Sequence, residues 1–302
     1  MDLRHLRCFI ALAEELHFTR AAERLHIEQS PLSRAIKELE TELRVRLFER
    51  NPRGTRLTWA GQVFQKDVRR ILLAVDQATA NARAAASGFR GTLRIALSDG
   101  VVPRRLSELL ARCRLEEPEV EIRLFEVPLS QQVRGLRNDL YDAGFARSDE
   151  SGSGLIARPV WKDPLLVVLP ARHPLLAFRV IPLDKVMQYP LVLCHPETCE
   201  GRHRQIKRIF RSSGFDPAIA EHVASNDVML ALVAAGYGLG LACHAQIIAY
   251  HRSEVVTRRL AEESPILTTY LLRPEADAHA QLNRFIARAI SDSQVRGSDC
   301  AE

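Results

Sequence analysis

Residues 18–40, FTRAAERLHIEQSPLSRAIKELE, constrain the fold more than any other stretch of the chain. Apolar or small residues recur at spacings of three and four on both sides of a short polar turn, which predicts two amphipathic helices joined closely. Thr19 is placed to cap the first helix, Glu23 lies in its first turn, and Ala21, Ala22 and Leu25 are small or apolar enough for close packing. The turn falls at His26–Gln29. Ser30 and Pro31 then predict the second helix start, a serine N-cap followed by proline at the first helical position. Leu32, Ile36, Leu39 and Leu43 form a buried stripe, leaving Ser33, Arg34 and Lys37 on the opposite face. Such a pair is the layout of a helix-turn-helix, whose second helix lies in the major groove of DNA. Upstream, Leu3, Leu6, Ile10 and Ala13 predict another amphipathic helix.

Two neighbouring segments extend this reading. Residues 47–58, LFERNPRGTRLT, predict a hairpin turning at Asn51–Gly54, with Arg50, Arg53 and Arg56 around its tip. A hairpin beside a helix-turn-helix is a wing, and its arginines suit phosphates or a narrow minor groove. Residues 59–87 contain no proline, and Phe64, Val68, Ile71, Val75, Ala78, Ala82 and Ala85 mark a heptad seam. A helix of that length spans ~42 Å at ~1.5 Å per residue, too long to bury its stripe within a small domain. The seam therefore predicts a homodimer through residues 59–87. Charge follows the same division. Residues 1–90 hold 16 Lys/Arg against 11 Asp/Glu, whereas residues 91–302 hold 26 of each. The whole excess of +5 lies beside the helix pair, where it favours a polyanion through counterion release.

From Gly91 the pattern changes to alternating strands and helices, the rhythm of α/β architecture. Strands are predicted at Thr92–Leu97, Glu121–Glu126, Tyr141–Ala146, Leu165–Leu169, Leu191–Cys194, Leu239–Cys243 and Ile266–Leu272. Helices are predicted at Val102–Glu116, Gln131–Asn138, Arg202–Ser213, Asp227–Ala235 and Asp277–Ser291. The strand at Leu165–Leu169 is bounded by Pro164 and Pro170. Two such lobes joined by crossover strands leave a cleft, and small ligands favour the C-terminal ends of parallel strands there.

The chain shows no catalytic motif and no metal motif. Gly236, Gly238 and Gly240 follow a helix and precede a strand, the reverse of a phosphate-binding loop, so Gly236 is read as a helix terminator. Cys194, His195, Cys199 and His203 lack the spacing of a zinc site. A helix start next to Cys199 predicts a lowered thiol pKa, which keeps open a redox reading through Cys199. Cys8, Cys113 and Cys243 are scattered, as is Cys300, unlike a disulfide framework. No apolar run has the ~20 residues needed to cross a membrane and the N-terminus lacks a signal-peptide core, so a cytoplasmic location without membrane contact is expected.

Over nearly its whole length the chain resembles the LysR-type transcriptional regulators. The resemblance is carried by residues 18–61, FTRAAERLHIEQSPLSRAIKELETELRVRLFERNPRGTRLTWAG, where helix pair, basic wing, LT-x-AG and long helix occur in the family's order. Pro170, His173, Pro174 and Leu175, and Leu232 to Gly236, are similar to landmarks of the family's effector domain. It implies an N-terminal all-α winged helix-turn-helix at residues 1–58 and a dimerising linker helix at 59–90. An α/β effector domain of two Rossmann-like lobes, similar to type II periplasmic binding proteins, then covers 91–302. Lobe I comprises about 91–162 and 268–296, and lobe II about 163–267.

The implied function is a non-enzymatic regulator, an activator, that binds double-stranded operator DNA as a homotetramer and contacts RNA polymerase. It needs no cofactor beyond a small-molecule co-inducer. By position, Gln29, Pro31, Ser33, Arg34, Lys37 and Arg53 become the DNA-binding residues. The proline stands one place later than in many members. Asp142 to Arg147 and Glu126 resemble the branch that senses aromatic-pathway carboxylates such as muconate or benzoate. Ser98, Asp99, Gly100, Ser130, Arg147, Thr198 and Asn226 become the effector-binding residues. The alternatives are a redox-responsive regulator using Cys199, or a solute-binding module without a gene-regulatory role.

Overall fold

The structure is a computed structural model that describes residues 1–294 except 52–53, 87, 101–102, 151, 213, 215, 248–252 and 261–264. The chain divides into two compact units, Met1–Ala86 and Ser87–Glu302.

The first unit opens with α1 (Leu3–Glu15), α2 (Phe18–Arg24) and α3 (Gln29–Leu43). Asp2 and His5 form a reciprocal capping box at the start of α1. Leu6, Phe9 and Leu12 pack against Ala21, Ala22, Leu32, Ile36 and Leu39, and Phe9 stacks obliquely on Phe48 and Phe64 at 5.4 and 5.0 Å. Both predicted caps differ in detail. His17, without a side-chain cap bond, precedes α2, while the Thr19 hydroxyl donates to Gln29 Oε1 at 3.4 Å. Glu28 precedes α3, so Pro31 is the third helical residue. That position is tolerated because the first helical N–H groups have no carbonyl to reach, so proline forfeits no hydrogen bond.

Strands β1 (Phe48–Asn51) and β2 (Gly54–Leu57) pair antiparallel as the wing. Its base is tied to α3 by Glu40 Oε1, which accepts from the backbone N–H groups of Leu47 and Phe48 at 2.8 and 3.1 Å. Thr58 caps the next helix by accepting from the Gly61 N–H at 2.9 Å. A Cβ at Gly61 would come within 2.2 Å of the Leu47 carbonyl oxygen, which accounts for the glycine of LT-x-AG. Helix α4 (Trp59–Ala86) runs 28 residues. Of its seam, Val68 is buried in the unit's core with Phe64 against it, whereas Ile71, Ala78, Ala82 and Ala85 are exposed in the single chain.

The second unit begins with β3 (Gly91–Leu97), α5 (Pro103–Glu116), β4 (Val120–Glu126), α6 (Leu129–Arg137), β5 (Ala143–Ala146) and β6 (Leu155–Pro170). After a 3-10 turn at Pro174–Ala177 come β7 (Val180–Ile181), α7 (Leu183–Val186), β8 (Leu191–Cys194), α8 (Glu200–Ser212), β9 (Ile219–Val223), α9 (Asn226–Ala234) and β10 (Leu239–Cys243). Helix α10 (His244–Ile247), β11 (Val255–Leu260), β12 (Ile266–Pro274) and α11 (Ala280–Gln294) complete it. The strands follow the path β4-β3-β5-β12-β6-β10-β8-β9, with β11 pairing β6 and β7.

Each lobe has a core on both faces of its sheet. In the first, Leu93 and Ile95 face Leu109 of α5 and Phe285 of α11, while Ala96 faces Leu136 of α6. In the second, Leu165, Val167 and Leu169 face Ile206 and Phe210 of α8, while Val168 faces Met229 and Leu230 of α9. Strand β6 serves both lobes. Residues 155–164 pair with β12, then 165–168 with β10. The sequence predicts a strand only from Leu165, bounded by Pro164, and Pro159 lies upstream of that bound. The ladder accommodates them: Pro159 lies at a register shift, and Pro164 lies where the strand changes partners. Gly236, at φ +82°, ends α9 in a Schellman motif, its N–H donating to the Val233 carbonyl and that of Tyr237 to the Leu232 carbonyl.

Helices α5 and α11 are joined by charge. Arg288 donates to Glu116 at 2.6 Å and to Glu117, and Arg284 also donates to Glu117. Arg288 and Glu117 are both buried. Burial pushes the Glu117 carboxyl up, but the two arginines outweigh burial and hold it below the usual range. Arg288→Ala is expected to lower the unfolding free energy by about 3 kcal/mol, the scale for breaking a buried pair from one side. Urea denaturation tests this, and an unchanged midpoint would refute it. A depressed carboxyl stabilises above its unfolded-state pKa and loses that effect as pH falls through the folded one. The difference between variant and wild type is therefore expected to shrink below pH 4.5.

Candidate nucleic-acid interface and ligand cavity

Burial of Leu32, Ala35, Ile36 and Leu39 turns the other side of α3 to solvent. Gln29, Ser30, Arg34 and Lys37 are exposed there, with Pro31 and Ser33 half-buried between them. Ser30, Arg34 and Lys37 follow one another at helical spacings of four and three, so they share a stripe. Among the described residues neither Arg34 nor Lys37 has an ion-pair partner. Two cations elsewhere in the unit are paired instead: Arg24 and Arg69 both meet Glu14, at 2.7 and 2.8 Å. The unpaired stripe can donate to base edges and phosphates without first breaking internal bonds. Arg56 is exposed on β2, while Arg53 lies outside the described residues.

The second unit holds a cavity of about 590 Å³ at the C-terminal ends of the parallel strands β3, β4 and β8, and at the end of β9. Ser98, Asp99, Gly100, Thr198 and Asn226, five of the residues that the family resemblance implies for effector binding, line it. Leu97, Leu106, Val127 and Met229 give it an apolar body.

Two predicted contacts are corrected. Ser130 is exposed on α6, whose inward positions are Leu129, Gln132 and Leu136, so it faces solvent rather than the cavity. Arg147 is wholly buried and is not in the cavity wall. Its Nη2 donates to Cys243 Sγ at 3.3 Å and lies 3.7 Å from Asp163 Oδ2, so a carboxylate of β6 draws the guanidinium away.

The wall instead contains Arg202, third residue of α8, 4% exposed. Its Nη1 donates to Asn226 Oδ1 at 2.9 Å and its Nη2 to the Leu241 carbonyl at 2.6 Å. In the sequence Arg202 reads only as a helix start. The available signal was electrostatic: a cation in the first turn opposes the helix dipole and needs another partner.

Asp99 is not an open contact either. It is buried, adopts φ +60°, and accepts from the backbone N–H of Gly201 at 2.8 Å, that of Arg147 at 3.1 Å and the Ser98 hydroxyl at 3.3 Å. Burial pushes its carboxyl up, and the backbone donors pull it back in part. Gly201 makes this approach possible, since a Cβ there would lie 2.4 Å from Asp99 Oδ2.

The cysteines also differ from expectation. The five described ones are free and buried. Burial pushes the Cys199 thiol up, and Cys194 up to about 11, against the pull of Arg202, so position beside α8 does not lower the Cys199 pKa. Among the described residues no group of three or more His, Cys, Asp or Glu is arranged to hold a metal ion.

Comparison with known proteins identifies both parts of the chain. Residues 3–62 match the family model of the bacterial regulatory helix-turn-helix protein, lysR family, and residues 86–292 match the LysR substrate binding domain. The regulator YnfL of Escherichia coli is 33% identical over 276 residues, covering 91% of this chain and 93% of that protein. BenM of Acinetobacter baylyi is 32% identical over 243 residues, 80% of each chain. Full-length CbnR, in a structure complexed with its target DNA, superposes with a TM-score of 0.78 at 26% identity, covering 97% of this chain and all of that one. The chain belongs to the LysR family: it is a DNA-binding transcriptional regulator with an effector-binding domain, and not an enzyme.

Proposed function

We propose that the chain switches transcription in response to a small carboxylate held in the 590 Å³ cavity, acting as an activator in the compartment that holds the DNA, the cytoplasm. The observation that carries the DNA half of this reading is the unpaired stripe on α3. Arg34 reads a guanine edge or phosphate, Ser33 and Gln29 add polar contacts, and Lys37 neutralises a phosphate. Pro31 shapes the first turn, and Arg53 adds a contact to the DNA backbone or minor groove. The relative from Acinetobacter lwoffii described as a probable cat1 operon transcriptional activator, 32% identical, supports the sign of regulation. No described helix is long and apolar enough to cross a membrane.

The seam of α4 supplies the symmetry. Ile71, Ala78, Ala82 and Ala85 are exposed in one chain, and a second α4 covers them in a homodimer. Two dimers make the tetramer, and RNA polymerase is its partner at the promoter.

Duplexes selected from a randomised library provide the DNA probe. Arg34→Ala is expected to weaken binding by about 1–3 kcal/mol and relax base preference at one position, read by fluorescence anisotropy. Unchanged affinity and preference would remove Arg34 from the interface. Lys37→Ala is expected to weaken binding uniformly and reduce the salt slope by about one. Ile71→Glu, at a position 41% exposed in the single chain, is expected to dissociate the dimer while α-helical content persists. Sedimentation of wild type as a monomer at micromolar concentration would refute the dimer.

A further inference from the structure

Three histidines meet behind the cavity wall: His195 directly after β8, His203 near the start of α8, and His222 on β9. The His222 ring is 6.2 Å from that of His195 and 5.8 Å from that of His203, centre to centre. All three side chains are half-buried, and His222 Nε2 is buried without a hydrogen-bond partner. The cluster is tied to the segment that places Cys194, Thr198 and Cys199 in the wall. His195 Nδ1 accepts from the Glu197 N–H at 3.2 Å, which it can do only while that nitrogen carries no proton. The His203 Nδ1–H donates to the Cys194 carbonyl at 3.2 Å, and the His195 carbonyl accepts the Cys199 N–H at 3.0 Å.

The surroundings offer these rings no counterion. Among the described residues the ion pairs made by histidine are those of His5. Of the nearby carboxylates, Glu200 pairs with Arg204 at 3.4 Å, Glu221 accepts the His222 backbone N–H at 2.9 Å, and Glu197 is exposed. On the cavity side Asp99 accepts backbone N–H groups, and Arg202 adds positive charge beside Cys194. Burial holds the His203 ring below the ordinary histidine value of 6.5 against the pull of the Cys194 carbonyl, and His222, Lys207 and His195 push the same way.

We propose that His195, His203 and His222 form a proton switch in the effector unit: neutral, they hold residues 195–199 in the cavity wall, and protonated, they release that segment. A proton on His195 Nδ1 removes the acceptor of the Glu197 N–H, and a second proton in the cluster sets like charges about 6 Å apart with no carboxylate between them. The closed wall therefore binds fewer protons than the released one. It loses free energy as pH falls below 6.5 and regains it above. The inference goes beyond the effector reading and holds whichever ligand the cavity takes.

The test is backbone hydrogen exchange by mass spectrometry on the full-length chain, without ligand, at about pH 7.5 and about pH 5.5, corrected for intrinsic exchange rates. Protection of residues 195–203 is expected to fall at least about tenfold at the lower pH, the effect of one unit of proton linkage, while β3 keeps its protection. His195→Gln leaves a side-chain acceptor that cannot be charged and is expected to hold the change within about twofold. His222→Gln removes the middle charge and is expected to shrink the response. The wild-type comparison needs no variant and so stands even if one misfolds. Protection of residues 195–203 that is the same at both pH values overturns the proposal, as does a full response in His195→Gln. Loss of protection in β3 to the same extent means general acid unfolding and overturns it too. A response abolished by EDTA belongs to a bound metal ion and overturns the proton switch. No ligand enters the measurement, so its failure leaves the effector reading standing.

Discussion

The carboxylate of Asp99 organises the effector unit. It sits at the end of β3 in a left-handed backbone conformation and accepts N–H groups from the end of β5 and the start of α8. Three elements distant in sequence thus converge on one side chain. A buried carboxylate is costly unless its oxygens are satisfied, and here backbone donors satisfy them. The contact also sorts the two nearby arginines. With its backbone N–H on Asp99, Arg147 extends toward Asp163 and Cys243, while Arg202, one residue beyond Gly201, enters the cavity wall. Gly201 is part of the same device, because a side chain there would displace the carboxylate.

In the DNA-binding unit the acidic side chains leave the cations of α3 without ion-pair partners among the described residues. Glu14 and Glu15 occupy Arg20, Arg24 and Arg69. Glu40 is spent on the backbone of the wing base. The cations of α3 keep their hydrogen-bonding capacity for a partner, and the small residues Ala21 and Ala22, fully packed, let the helix pair come close enough to present them.

Much of the first unit was legible in the sequence because its structure is local. The periodicity of α1, α3 and α4 is set by neighbours three and four residues away, and the seam of α4 ended within a residue of its predicted limit. Its misreadings were also local: capping at Thr19 and Ser30 shifted by a residue or two because helix starts tolerate several N-terminal arrangements. In the second unit, β8 and β10 matched their predicted spans because both are uniformly apolar and buried. The first half of β6 did not, since two prolines conceal a strand whose pairing comes from β12, about a hundred residues away in sequence. Strands β9 and β11 were missed because they are largely exposed or half-buried and lack the apolar run that marks a core strand.

By itself, then, the sequence determined the helix pair, the wing, the long linker helix, the α/β class of the remainder and the α3 face that carries Ser33, Arg34 and Lys37, all properties of residues close along the chain. The family resemblance, not local pattern, placed five residues that line the cavity, Ser98, Asp99, Gly100, Thr198 and Asn226. Only the tertiary structure decided which arginine faces the cavity. Arg147 and Arg202 look alike as residues, and their roles separate through Asp163, Asp99 and Leu241, partners that the chain brings together only by folding. The same holds for the Cys199 thiol: its place beside a helix suggested activation, but burial dominates, and burial is a property of the packed unit rather than of its neighbours in sequence.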